Sequence, residues 1–478
     1  MRDNEHELFD FSRYAATDLE NTAALIRRFA AHDGFRSAVV EELELDNDFY
    51  RRPVRPEDLS FIRFSEPVIA ETVTQLPFLA AQRLLLCINE LDYARLPQNA
   101  GGFDRFAEYY CDTNRILGAQ VRPFLENFAF DFLAETPAAG QCIDQYVGCL
   151  EELLRYERSF WFDTVGELKR CQYVREGIRF ALIQKSCLAP SKRAALARAV
   201  ACGSFEGIAG EYRPQFVAAD RDEEVLKQLG RWCGITKREH SYWQFYLSTS
   251  LAECNLLHAL AVRPDRALSL CGAAFAAEGA WMAFREMVVQ VGADLALGDR
   301  QAPNAAPPTI GNCVLARFRR TLDAVVERFG ERGLREVGQG LRAMEALAGC
   351  ARENLREQLV WLASVEDYRA MAQAISARIE MERPDIDRET FVEPREMCST
   401  THVHDDHRLV VIESGRMVFW GNLGMKLRLE PGEMVLVPQG RLHGSSIESE
   451  SCTYHQPIIP DAWIQEQMRA FRRRQAAE

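Results

Sequence analysis

The sequence predicts a multidomain protein, mostly α-helical through its N-terminal and central parts and ending in a small all-β barrel. Three observations carry that expectation. The chain has 478 residues, enough for several domains at roughly 150 residues each. Apolar residues recur at helical spacing from Asp18 to about Met381. Beyond Pro384 the pattern changes to short apolar runs separated by glycine-bearing turns.

The helical part divides where its pattern breaks. A first helical domain is expected over residues 1–140. In it, Leu76–Leu91 and Ala107–Leu133 carry the helical period, and Pro97-Gln98-Asn99-Ala100-Gly101-Gly102 between them cannot continue it. Asp46–Leu59 is polar, holds Pro53 and Pro56, and reads as an irregular crossing. A second helical domain is expected over 141–383. Ser241–Ala261 is apolar almost all round, the pattern of a central buried helix. Leu295–Asn312 contains Pro303, Pro307 and Pro308 with Gly298 and Gly311, and reads as a long loop. Val314–Leu347 and Asn354–Ile379 then resume the helical period.

The barrel is expected over 384–463, with a basic C-terminal helix or tail over 464–478. Thr390–Glu393 is a short strand candidate. Leu409–Ile412 and Met417–Trp420 flank Glu413-Ser414-Gly415, a hairpin signal. Met425–Glu430 alternates strictly, Pro431-Gly432 turns the chain, and Met434–Val437 is the next strand. Evenly spaced short strands indicate a barrel or jelly roll.

Composition argues against several classes. A formal net charge of −13 disfavours nucleic acid as a partner, because neutralising phosphates needs clustered Lys and Arg. The one basic cluster, Arg469–Arg474, reads as a solvated terminal helix. The 14 cysteines occur singly and never as C-x-x-C. Thiolate zinc sites and dithiol redox chemistry therefore lack support, and a cytoplasmic setting is expected. Met1–Ser12 is polar and acidic, unlike a signal peptide, and no apolar run of about 18 residues suggests a membrane span.

The chemistry concentrates in the barrel. His402 and His404 are two residues apart in a strand context, where period two puts both imidazoles on one face. His443 follows Pro438-Gln439-Gly440, and in a barrel its strand can neighbour theirs. Three neutral nitrogens suit Fe(II), Zn, Cu, Ni or Mn and leave positions open for substrate and dioxygen. The competing reading is surface histidines in loops. Against it, five of the nine histidines fall between His402 and His455. The spacing resembles the two cupin motifs. Gly432, Pro438, Gly440 and His443 complete the second, G-x5-P-x-G-x2-H. His402, His404 and Gly415 match the first, but its glutamate position holds Arg408 or Leu409. A three-histidine site is therefore expected; His407 could add a fourth ligand, but three residues from His404 it faces the other side of a regular strand.

A wider resemblance covers most of the chain. It rests on Val392-Glu393-Pro394-Arg395, Thr401-His402-Val403-His404-Asp405, Arg441-Leu442-His443-Gly444 and Ile447-Glu448-Ser449. Upstream it includes Tyr50-Arg51-Arg52, Ala81-Gln82-Arg83-Leu84-Leu85, Asn114-Arg115 and Tyr242-Trp243-Gln244. These segments resemble the N-nitrosourea-forming enzymes of streptozotocin biosynthesis. The resemblance implies an N-terminal helical dimerisation domain and a central heme-oxygenase-like domain. In that family the central domain holds two irons and hydroxylates a methylated arginine. A cupin with one iron then uses O2 to rearrange the product, forming an N–N bond. The cupin ligands carry over onto His402, His404 and His443.

The diiron ligands do not carry over. Glu211 and Glu278 fall where the family has glutamates, but no imidazole stands near Asp222-Glu223-Glu224. The family's last ligand helix would match Asn304–Asn312, which has neither His nor Asp, and no histidine occurs between His258 and His402. His240 and His258 are better read as satisfied core residues. The resulting expectation is a non-heme Fe(II) oxygenase with one iron per chain, Zn or another divalent metal being possible. Its substrate would be an N-hydroxylated guanidine or related amino-acid derivative. Phe419, Trp420 and Tyr454 could wall the pocket or be ordinary barrel core. A separate N-oxygenase would have to supply the substrate, and a homodimer through the N-terminal helices is implied. Two alternatives remain: a complete dual enzyme with an altered diiron site, and a cupin that binds a small ligand without turnover.

Overall fold

Helices form where the apolar stripe keeps the helical period and end where proline, glycine or a side-chain amide interrupts it. The computed structural model describes residues 8–9, 19–31, 56–93, 95–97, 99–134, 142–171, 173–216, 220–235, 242–295, 310–395, 397, 399–421 and 425–475. The N-terminal helices are α1 (Leu19–Ala30), α2 (Leu76–Glu90), α3 (Phe103–Tyr109) and α4 (Asp112–Ala134). The central ones are α5 (Ile143–Lys169), α6 (Val174–Ser186), α7 (Ala189–Ala201), α8 (Asp220–Trp232), α9 (Ser248–Ala261), α10 (Ala267–Asp294), α11 (Ile310–Ala363) and α12 (Val365–Glu382). Mostly helical N-terminal and central parts followed by an antiparallel β region are the predicted fold class.

Four details differ from the sequence expectation. Ala107–Leu133 is two helices, not one. Asn114 donates to the carbonyls of Glu108 and Tyr109 at 3.3 and 3.1 Å, taking up acceptors that the end of α3 leaves open. Ser241–Ala261 is also not one helix. Ser241 lies outside the described residues, Trp243–Phe245 is a single 3-10 turn, and α9 starts at Ser248. The Gln184 amide explains the break. It donates to the Phe245 carbonyl at 2.6 Å and accepts from the Leu247 N–H at 2.9 Å, replacing helical partners. The expected Leu295–Asn312 loop lies outside the described residues over 296–309, but its end is already helix, since α11 begins at Ile310. α11 then runs through the expected gap before Asn354 and kinks instead at Gly330, whose φ of 64° suits glycine. Tyr50–Arg52 and His240 lie outside the described residues.

α10 forms the centre of the helical body, packed by α5, α8, α9 and α11. An 18-residue window of Pro264–Asp294 is long and apolar enough to cross a membrane, which corrects the expectation that no such stretch exists. That window is 89% buried inside the protein, as befits a core helix. Gly272 and Gly340 let α10 and α11 cross closely, since a Cβ on either would strike the other helix's backbone.

The β region holds two antiparallel sheets. One has the order β1-β7-β2-β5, the other β4-β3-β6. Their strands are β1 (Arg388–Pro394), β2 (His407–Ser414), β3 (Met417–Gly421), β4 (Met425–Leu429), β5 (Met434–Val437), β6 (His443–Ile447) and β7 (Ser451–Ile459). The inner faces meet through Leu409, Ile412, Phe419, Val435 and Ile447, and α12 covers this core with Tyr368, Met371 and Ile375. Gly415 turns the β2–β3 hairpin at φ 85°, and a Cβ there would collide with the Ser451 carbonyl. A last helix, α13 (Asp461–Gln475), follows β7.

His258 on α9 is a satisfied core residue. Its Nε2 is 3.0 Å from the Ser191 hydroxyl, which donates to Glu90 at 2.8 Å and so must accept from the imidazole. Burial holds this histidine down to about 4. The unfolded chain therefore takes up a proton below about pH 6.5 that the folded chain refuses until about pH 4. Stability is full above that window and is lost as pH falls through it, by about 2 kcal/mol between pH 7 and pH 5. Urea unfolding of His258→Gln should show a loss between these pH values smaller than that of the wild type by about this amount.

Candidate metal centre

The three barrel histidines are brought together by a bridge and a loop, not by one continuous strand. His402 and His443 exchange backbone hydrogen bonds of 2.9 and 3.0 Å in an isolated antiparallel bridge. His404 lies outside any strand, and its carbonyl accepts from the Gly440 N–H at 2.9 Å. The strand context expected for His404 is therefore corrected, because the convergence comes from the bridge and from the loops over 402–404 and 440–442, with His443 opening β6. The ring centroids are 4.5 to 4.9 Å apart. Each ring offers a nitrogen, and these nitrogens all lie within 4.8 Å of one another. Among the described residues no other group of His, Cys, Asp or Glu converges in this way.

The donor set suits a divalent transition metal. Nδ1 of His402 lies 2.9 Å from the Thr400 carbonyl oxygen, and Nδ1 of His443 lies 2.8 Å from that of Arg441. A carbonyl only accepts, so both Nδ1 atoms carry the proton and both Nε2 atoms keep a lone pair. Burial first, and then His402, hold His443 well below the usual histidine range, so it stays neutral. The Phe419 ring stacks on His443 at 5.5 Å, fixing its plane. His407 is engaged elsewhere. Its Nδ1 accepts from the Gln439 N–H at 3.0 Å, and its Nε2 is 3.6 Å from Asp461.

The three imidazoles line a cavity of about 500 Å³. Phe419 and Tyr454 also line it, while the side chain of Trp420 lies outside the described residues. Phe391 stacks on Tyr454 with centroids 5.2 Å apart, making an apolar wall. Glu389, Glu393, Asp405, Asp406 and Arg408 supply the charge. Arg408 stands near the expected cupin glutamate position and is held by Asp406 at 2.8 Å and by Glu389. Burial raises the Glu393 and Asp405 carboxyls above the usual range. Phe61 and Leu76 complete the wall from the helical part, and the Leu76 N–H donates to Asp405 at 3.4 Å. Sequence reasoning did not reach Glu389, Asp406, Phe61 or Leu76 as cavity residues, and it named Glu393 only within a strand candidate and a matched segment. Asp405 and Arg408 were at least flagged by their place beside the histidine motif.

The two central glutamates are not brought together as ligands. Glu211 is exposed on a 3-10 turn, Gly210–Tyr212. Glu278 is buried on α10, bound by Arg317 at 2.6 Å and by the Gln215 N–H at 2.9 Å. Another buried carboxylate, Glu253, is bound by Lys185 and Lys192 at 3.1 and 2.7 Å.

No protein-family model matches the chain. A nitrosourea synthase from Streptomyces achromogenes subsp. streptozoticus is 27% identical over 439 residues, covering 86% of this chain and 90% of that enzyme. This chain is a homologue of nitrosourea synthase. The likeness to nitrosourea synthase reaches both the helical body and the barrel, since neither alone makes up 86% of the chain. The resemblance read from short segments thus extends over nearly the whole sequence.

Proposed function

We propose that the chain is a metal-dependent oxygenase of N-nitrosourea-type biosynthesis. In this reading one Fe(II), held by His402, His404 and His443, serves the oxidative rearrangement of an N-hydroxylated guanidine, with O2 as oxidant and an N–N bond formed. The observation that carries it is the set of three converging imidazoles at a 500 Å³ cavity in a homologue of nitrosourea synthase. Bound there, Fe(II) would supply the redox chemistry that dioxygen requires. The chain's own residues supply the rest. Phe391, Phe419 and Tyr454 exclude water from one side. Glu393 and Asp405 suit a cationic guanidine, because Arg408 is already neutralised by Asp406 and Glu389.

The helical body, in the same proposal, works without a diiron site. Cations bind Glu253 and Glu278, two of its buried carboxylates, and Arg352 binds Glu157, where metal ligands would have to be bare. A separate N-oxygenase then supplies the hydroxylated substrate. The first 140 residues serve as a dimerisation domain, 141–383 as a heme-oxygenase-like scaffold and 384–463 as the catalytic cupin.

Oxygen uptake by protein reconstituted anaerobically with one Fe(II) per chain tests this. Uptake with an N-hydroxylated arginine derivative, and an N-nitroso product by mass spectrometry, is the expected result. No uptake with any hydroxylated guanidine would overturn it in favour of a ligand-binding protein. Uptake with unhydroxylated methylarginine would instead restore N-oxygenation to the helical body.

A further inference from the structure

Three buried side chains of the helical body tie down the two loops that carry the histidines. Arg83 on α2 donates to the Thr401 carbonyl at 2.8 Å, to the Thr401 hydroxyl at 3.1 Å and to the Gln244 carbonyl at 3.2 Å. Gln244, on the 3-10 turn before α9, accepts from the Thr401 N–H at 3.4 Å. Thr401 lies between Thr400, whose carbonyl orients His402, and His402 itself. Gln358 on α11 does the same for the other loop. Its amide donates to the Gly440 carbonyl at 2.7 Å and accepts from the Leu442 N–H at 3.1 Å. Between these two stands Arg441, whose carbonyl orients His443. The Gly440 N–H in turn holds the His404 carbonyl. Arg83, Gln244 and Gln358 are 2%, 4% and 0% exposed, so each bond is made away from water.

We propose that Arg83, Gln244 and Gln358 are positioning residues of the metal centre, so that the helical body and the barrel together set its geometry. The proposal rests on the three-histidine metal reading. The barrel's own ladder contributes the bridge between His402 and His443 and the pairing of His443 with Gly421 on β3. Within the barrel the Gly440 N–H also bonds the His404 carbonyl and the Arg441 N–H that of Pro438, whereas the side-chain bonds to the backbone of Thr401, Gly440 and Leu442 come from helical elements distant in sequence. Removing one leaves a buried carbonyl or N–H unpaired, and the loop must move to find water. Loss of such outer partners typically weakens metal binding about 10–100-fold.

Co(II) binding by the full chain, measured by chelator competition and by the visible spectrum of the bound ion, tests this alongside urea stability. Gln358→Met and Arg83→Met should each bind Co(II) about 10–100-fold more weakly with altered bands. Arg83→Lys, which keeps a donor but not the fork, should recover part of the loss. Arg263→Met breaks the 2.6 Å ion pair to Glu126, remote from these loops, and should keep wild-type affinity. Wild-type affinity and spectrum in Gln358→Met and Arg83→Met would overturn the proposal, as would an equal loss in Arg263→Met. If Arg83→Met does not fold, Gln358→Met decides. Wild-type protein binding Co(II) no better than His443→Ala would sink the metal reading itself, a distinguishable failure.

Discussion

Replacing His443 with alanine is expected to abolish metal binding and lower turnover of an N-hydroxylated guanidine by about a thousandfold or more. The metal's contribution to the transition state is several kcal/mol, and each 1.4 kcal/mol is about tenfold in rate. His443 is the most buried of the three histidines. The substitution keeps the backbone bridge to His402, because both of its bonds are main-chain. The barrel should therefore fold, and the loss should fall on the ion. Metal analysis should drop from about one ion per chain to nearly none, and added Fe(II) should no longer raise the melting temperature. A variant that keeps its iron and its turnover would remove His443 from the site. In the wild type, affinity should also weaken as pH falls, since each ligand must be a neutral imidazole.

The second large effect concerns Glu278 and Arg317. Arg317→Leu strips the guanidinium from a fully buried carboxylate, leaving the Gln215 N–H at 2.9 Å and the more distant charge of Arg285. Breaking one side of a buried ion pair costs about 3–5 kcal/mol. Burial already pushes Glu278 up to about 7 despite Arg317, and the variant should carry it higher. An acid whose folded pKa lies above its unfolded one gives full stability below the unfolded value and loses it as pH rises through the folded one. The deficit in urea unfolding should therefore be larger at pH 8 than at pH 6, where the carboxyl can accept a proton. The double variant Arg317→Leu with Glu278→Leu should recover much of it. An unchanged unfolding midpoint in the single variant would show that the pair does not support the core. Metal content on the three histidines should be unaffected, since Glu278 and Arg317 belong to α10 and α11 rather than to the metal loops.

Much of this architecture was legible before the structure. The helical period marked α2 and most of α11, and five of the seven strands were read from alternation and glycine turns. The strands β6 and β7 were missed because Gly444, Ser445 and Ser446 in β6 and the polar residues of β7 do not alternate cleanly. The breaks after Tyr109 and before Ser248 were missed for another reason. They depend on the Asn114 side chain and on Gln184, the latter about sixty residues away, satisfying backbone groups that a local pattern cannot see. The kink at Gly330 rather than near Asn354 was equally invisible, since both regions carry glycine and only one adopts a positive φ.

The convergence of the three histidines was legible in the sequence alone, because residue type and spacing are local properties of His-x-His and of the Pro-x-Gly turn before His443. Their geometry was not. Period two suggested a strand, yet tertiary structure holds His404 in a loop, with Arg83 and Gln244 bonding Thr401 of that loop and Gln358 bonding Gly440 and Leu442 of the other, from three separate helical elements. The charge of the cavity and its Phe61 and Leu76 wall were also decided only on folding. So was the fate of the central glutamates: sequence could show missing imidazoles, but only packing placed Arg317 on Glu278. The physical reason is common to all of these. Side-chain identity and periodicity are written along the chain, whereas hydrogen-bond satisfaction in a buried site depends on which distant groups the fold brings within about 3 Å.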